Sequence, residues 1–441
     1  MGCRIGTFIL LQALSLSSPY PDVLPRLDRS RPGPAKAERL HFGVERLRKK
    51  PGAARGRVHR VEMASMTFRT ILSFIFLILL LLVAALSLSE DTAIVDFIQY
   101  WAAGKLFIEG GNPYDAASMA SLEHPLWGAN HFPILLWNPP PVFTFIAPLG
   151  LFSYANARFI WLLLNGAILL FAVMGELRQP DIRVWRPLVF FYLVTFYPAL
   201  LSLHDGQVSP LLLLGVSMYL YFERRAKLSA EGRIDGGYAS GFGLSLTILK
   251  PHLLFLFYTR FFIESLFNKP WRPLLGFLGG AVFLLIFPFC FRADIYDLYG
   301  AALTAPPIYW KTPTIGSFLQ GMTGSDTMLV RFMPTFVAVA FGITIFTFRR
   351  VPFGFSEALV KLIPLSLLFS PYGWVFDQIL LLPVAFVVAR KLPQNFLILI
   401  GANLIAALVP RDAGAHTLIW YPVVYLLALH DFRAFRKVEA K

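Results

Sequence analysis

Asp96, His204, Asp205, Gln207, Lys250, His252 and Asp377 are ionisable or hydrogen-bonding residues that stand inside or at the ends of strongly apolar runs. Polar groups in such runs are costly, and they line cavities or pair with one another. The chemistry within their reach is proton transfer and charge stabilisation. A carboxylate at the rim of a cavity acts as a general base without a metal. Cationic donors aimed at a developing negative charge lower its energy strongly in a dry site.

Each residue has a plainer alternative. Asp96 opens VDFIQYWAAGKLFIEG, where Val95, Ile98, Ala102, Leu106 and Glu109 mark the faces of an amphipathic helix lying along the membrane interface. An aspartate there is either a helix cap or a base. Tyr100 and Trp101 read as interface anchors, with Tyr100 also placed to touch a substrate. GGNPYD, residues 110 to 115, is a turn by its chemistry. HDGQ, residues 204 to 207, interrupts the apolar stretch Leu188 to Tyr221, either as an Asp-Gly turn or as a cavity lining. Lys250 has no acid near it in sequence, so it either snorkels or meets a counter-charge such as a bound phosphate. Asp377, in YGWVFDQILLLP, is a paired structural acid or a site acid.

The elements that position these residues are membrane helices. The chain has 441 residues, 56% of them hydrophobic, and a mean hydropathy of +0.61, too apolar for ordinary soluble domains. Many windows exceed the roughly 18 apolar residues that span a bilayer. A lipid-exposed backbone must satisfy its own hydrogen bonds, so the expected fold is all-α and polytopic. The first span is 71 to 88, with further spans near 157–175, 187–203, 208–222, 273–291, 332–348, 375–389, 395–409 and 416–430. PPPVFTFIAPLGLF, residues 139 to 152, is too short and proline-rich for a full crossing, and residues 238 to 262 form two unequal helices hinged at Lys250-Pro251. The expected total is about ten to twelve spans.

Charge sets the orientation. Basic residues precede the first span, and Glu90, Asp91 and Asp96 follow it, which places the loop 90 to 138 outside the cytoplasm. ERRAK at 223–227, NKPWR at 268–272, Arg349-Arg350, Arg390-Lys391 and the terminal FRAFRK then share the cytoplasmic side. The polar motifs gather on the other side: HDGQ, Lys250-Pro251-His252, the long loop 292 to 330, SPYGWVFD and Arg411-Asp412.

Residues 1 to 62 hold ten Arg and three Lys against five acids, more than half of the net +14. That excess reads as a solvated face and not as a nucleic-acid site. Residues 1–66 form a basic, disordered tail or an over-extended gene start, and 67–441 the membrane domain. Cys3 and Cys290 are too far apart in sequence to suggest a disulfide framework or metal spacing; neither a metal nor a cofactor is expected.

The order of segments also carries a resemblance. DFIQYWAAGKLFIEGGNPYD, then WNPPPVFTFIAPLGLF with WLLLN, then HDGQVSPLLLL, a glycine-rich approach to LTILKPH, and SPYGWVFDQILLLP resemble the polyprenyl-phosphate-sugar glycosyltransferases of glycosyltransferase family 87, over about residues 67 to 430. The resemblance implies a GT-C type enzyme of the bacterial inner membrane. Its aspartate in the first extracytoplasmic loop, at the position of Asp96, would deprotonate an acceptor hydroxyl while a sugar leaves a lipid-linked phosphate. The family's Gly-Gln pair falls on Gly206 and Gln207 and its Lys-Pro pair on Lys250 and Pro251. The late motif varies at Phe376-Asp377, leaving Asp377 and Asp205 as secondary acids. Mannose is the donor sugar it points to first, and a lipid or glycan the acceptor. Lys250, with His204 or His252, would meet the departing phosphate. A secondary transporter, which would share the broken helices and buried charges, is the rival reading, and a membrane scaffold a third.

Overall fold

The computed structural model describes residues 96–177, 186–228, 236–268, 271–348, 354–410 and 414–430. The tail, the boundary at 66/67, the first span, Arg349-Arg350, Arg411-Asp412 and the terminal basic cluster lie outside the described residues. Among the described residues all regular structure is helical, with no strand.

Two helices stand in the first loop, α1 (Phe97–Glu109) and α2 (Ala116–Trp127). The GGNPYD stretch joins them in three local steps. Gly110 ends α1 in the left-handed region at φ 80°. Asn112 Oδ1 then accepts from Tyr114 N at 3.0 Å. Asp115 caps α2 by accepting from Ser118 N at 2.8 Å.

The proline-rich segment forms a 3₁₀ turn at Pro140–Val142, a short helix α3 (Phe143–Ile146) and a 3₁₀ turn at Ala147–Leu151. It makes no full crossing and packs instead on α1. The approach is backbone to backbone: a Cβ at Gly104 would stand 2.4 Å from Ile146 O, and one at Gly150 would stand 2.5 Å from Lys105 N. This cover buries α1 from Phe97 to Gly104. Tyr100 is 1% and Trp101 7% exposed, so both are core residues and not the interface anchors expected from sequence.

Among the described residues, four stretches are long and apolar enough to cross a membrane alone: α4 (Tyr154–Leu177), the pair α5 (Arg186–Thr195) and α6 (Tyr197–His204) taken together, α10 (Trp271–Phe291) and α13 (Met328–Phe348). Phe283 and Ile286 on α10 and Phe336 and Val337 on α13 are exposed, as faces turned to lipid require. Between them run α7 (Ser209–Leu228), α8 (Gly236–Leu244) and α9 (Phe255–Asn268). The chain breaks between α8 and α9 at Lys250, φ −145° and ψ 72°, where sequence placed the hinge. The stretch 292–330, expected as loop, contains α11 (Ile295–Ala302) and α12 (Ile315–Thr323).

The helix α14 (Phe355–Phe369) was not expected. Glu357, Lys361 and Pro364 interrupt its apolar run, yet Lys361 pairs with Glu357 at 3.0 Å one turn away, and residues 358–368 are buried. It packs against α9, α13, α15 (Leu382–Lys391) and α17 (Trp420–Ala428). A 3₁₀ segment, Val375–Leu381, precedes α15, and α16 (Pro393–Leu408) follows it.

One ion-pair cluster fixes the sense of the bundle. Arg224 Nη1 and Arg390 Nη1 meet the two oxygens of Glu176 at 2.7 and 2.9 Å, joining the C-terminal ends of α4, α7 and α15. The polar motifs sit at the other end of α7, whose 20 residues reach about 30 Å, the thickness of the hydrocarbon core.

Candidate active site

Four breaks between helices meet in one place: the start of α1, the turn from α6 to α7, the hinge at Lys250 and the segment ahead of α15. Each carries one or more of the residues singled out in the sequence.

Asp96 occupies the N-cap position of α1, but its carboxylate makes no cap hydrogen bond. It accepts instead from Gln207 Nε2 at 2.5 Å. Gln207 is 1% exposed, and its Oε1 accepts from Tyr100 Oη at 2.8 Å, so both ends of the amide are committed and its orientation is fixed. Tyr100 therefore acts on Gln207 one turn from Asp96. Burial pushes the Asp96 carboxyl up to about 6; the nearby Asp205 and, less strongly, Asp377 add to the rise, while Lys250 and the Gln207 hydrogen bond oppose it. Such a carboxyl is a stronger base than an ordinary aspartate and still ionised at neutral pH.

The HDGQ turn is built to bring Gln207 there. Gly206 adopts φ 66°, and a Cβ on it would stand 2.6 Å from Phe97 Cβ. Only glycine lets the turn lie against the first residue of α1. Trp161 Nε1 donates to Gly206 O at 2.7 Å and Asn165 Nδ2 to Gln207 O at 3.3 Å, tying the turn to α4. Asp205 Oδ1 lies 2.7 Å from His204 Nδ1, and both side chains are partly exposed.

Lys250 has its counter-charge in Asp377, with Nζ 2.7 Å from Oδ1. Both residues are buried. The same Oδ1 accepts from Ser209 Oγ at 2.6 Å, and Oδ2 accepts from Trp374 N at 2.9 Å. Asp377 is thus saturated by donors, which fits a structural acid better than a free base. Lys250 Nζ also lies 4.8 Å from the Phe376 ring centroid. His252 is partly exposed and stands within electrostatic range of Lys250 and Asp377.

Three partners escaped the sequence reading. Ser209 shares the Asp377 oxygen with Lys250. Asn138, from WNPPP, donates to Leu249 O at 3.3 Å beside Lys250, and its own carbonyl accepts from Tyr114 Oη at 3.0 Å. Arg331, 0% exposed, donates to Trp310 O, Gln320 Oε1, Thr312 Oγ1 and Pro371 O. A charge inside the apolar helix α13 was the available signal for it. Among the described residues, no three of His, Cys, Asp and Glu are grouped so as to hold a metal ion.

Residues 135–371 match the family model described as glycosyltransferase family 87. The chain belongs to glycosyltransferase family 87. It is a membrane glycosyltransferase, and the transporter and scaffold readings fall away. No curated protein and no solved structure matched the chain. The matched region holds Asn138, the HDGQ turn, Lys250 and His252. Asp96 and Asp377 lie on either side of it and join the same site through the fold.

Proposed function

We propose that this glycosyltransferase moves a hexose, mannose foremost, from a polyprenyl-phosphate donor to a hydroxyl of a lipid or glycan acceptor, on the extracytoplasmic face of a bacterial inner membrane that it crosses many times. The observation that carries this reading is the Asp96 carboxylate, held by Gln207 and free of any capping role, in a site that also contains the charge of Lys250.

Gln207 occupies Oδ2 of Asp96 and leaves Oδ1 to accept the proton of the acceptor hydroxyl. As that proton moves, the acceptor oxygen bonds to the anomeric carbon. The bond from that carbon to the phosphate oxygen breaks with its electron pair, releasing polyprenyl phosphate. Lys250 stabilises the added negative charge, the more so in a site shielded from water, with His204 and His252 as neighbouring donors. Asp377 holds the lysine in place. A lipid-linked donor gives a reason for a catalyst embedded in the bilayer, since its phosphate sits at headgroup depth.

The test is supply of the purified enzyme, in lipid, with a panel of polyprenyl-phosphate hexoses and the matching nucleotide sugars, with products read by mass spectrometry. Consumption of a polyprenyl-phosphate hexose is expected. Turnover of nucleotide sugars alone would overturn the reading.

A further inference from the structure

A chain of aromatic contacts starts at the Lys250 pair. Lys250 Nζ lies on Phe376; Phe376 stacks on Trp374 with centroids 6.1 Å apart. Trp374 meets Trp310 at 5.4 Å, and Trp310 meets Trp137 at 6.1 Å. The rings come from three loops distant in sequence. Arg331 fastens two of them together, donating to Trp310 O and Pro371 O and lying over Tyr372.

These tryptophans differ from others in the molecule. Trp101 and Trp161 are buried and donate their Nε1–H to backbone carbonyls. Trp137, Trp310 and Trp374 are partly exposed, and among the described residues none of the three indole N–H groups has a protein acceptor. Each offers an apolar face with a negative quadrupole beside an unused donor. One face of a pyranose ring is a patch of polarised C–H groups, bordered by hydroxyls that accept hydrogen bonds. The two surfaces match.

Resting on the proposed function, we infer that Trp137, Trp310 and Trp374 form a saccharide subsite for the acceptor. Trp310 meets Trp374 at 62° and Trp137 at 84°, so no single pyranose can stack on all three rings. The acceptor therefore carries more than one sugar ring. Tryptophans serving only as bilayer anchors would have no need to pack on one another across three loops beside a buried ion pair.

The test is saturation-transfer NMR on the full-length protein in nanodiscs, irradiating aromatic protons. The probes are linear α-mannosides and α-glucosides of one to four rings, each free and as its octyl glycoside. Transfer to pyranose protons is expected to grow with ring number, and to fall at least about five-fold in Trp310→Ala and Trp374→Ala but not in Trp127→Ala, which lies outside this chain of contacts. Equal signals from free and octyl forms identify a soluble oligosaccharide acceptor, and signals confined to the octyl forms a glycolipid headgroup. No transfer, transfer independent of ring number, or transfer unchanged in the two variants overturns the subsite. The readout needs no donor, so binding by a protein that consumes no polyprenyl-phosphate sugar would sink the proposed reaction and leave the saccharide site standing.

Discussion

Lys250 and Asp377, 127 positions apart, form a buried ion pair at 2.7 Å. Loss of one partner leaves the other charge uncompensated, a change typically worth about 3–5 kcal/mol. Lys250→Met alone is therefore expected to lower thermal stability, and Lys250→Met/Asp377→Asn to recover most of it, since the asparagine oxygen can still accept from Trp374 N and its amide can donate to Ser209 Oγ. Donor turnover is expected to stay lost in both. Recovered turnover in the double variant would show that Lys250 serves the fold and not the phosphate.

Gly206→Ala tests whether the HDGQ turn positions the base. Alanine at φ 66° is strained by about 1–2 kcal/mol, and its Cβ must displace Phe97, the residue beside Asp96. Turnover should fall further than thermal stability does. Unchanged kcat in the folded variant would separate the turn from catalysis.

The acidity of Asp96 gives a pH signature. With its carboxyl near pKa 6, activity should decline below about pH 6, where an unperturbed aspartate would hold to about 4. Asp205 raises that value by like charge, so Asp205→Asn should move the acid limb of the kcat profile to lower pH and keep turnover at neutral pH. An acid limb unmoved by the substitution would remove Asp205 from the account.

The helical fold and the hinge at Lys250 were legible because apolar runs and proline act locally. The pairing of Lys250 was not, since no pattern in LTILKPHLLFLF points to an acid in a segment 127 residues later. The residues of α1 alternated like those of an interface helix, but the glycines at 104 and 150 let the proline-rich segment cover it. Helix α14 was hidden by charges that neutralise each other within one turn. The turn HDGQ was read correctly as polar and tight. That its glutamine would reach Asp96 depended on a glycine touching Phe97, which only the fold reveals.

Orientation has its own check. In a background with Cys3 and Cys290 replaced by serine, Asn112→Cys should react with a membrane-impermeant maleimide on intact cells and Arg225→Cys only after lysis. Asn112 lies in the turn between α1 and α2, and Arg225 beside the Glu176–Arg224 pair at the far end of α7. Equal labelling of both in intact cells would place the site on no defined side.

The most direct measurement is steady-state turnover by Asp96→Asn, with donor KM and melting temperature recorded at pH 7.5. The folded-state pKa is raised from 3.8 to about 6. The stability linked to this group is therefore full below about 3.8 and is lost as pH rises through 6, the loss amounting to about 3 kcal/mol once the group is ionised. Asparagine removes that penalty and keeps an acceptor for Gln207, so the variant should melt no lower than wild type. Its kcat should fall by about 10²- to 10⁴-fold with donor KM little changed. A well-folded Asp96→Asn enzyme with wild-type kcat would contradict the assignment of Asp96 as the base.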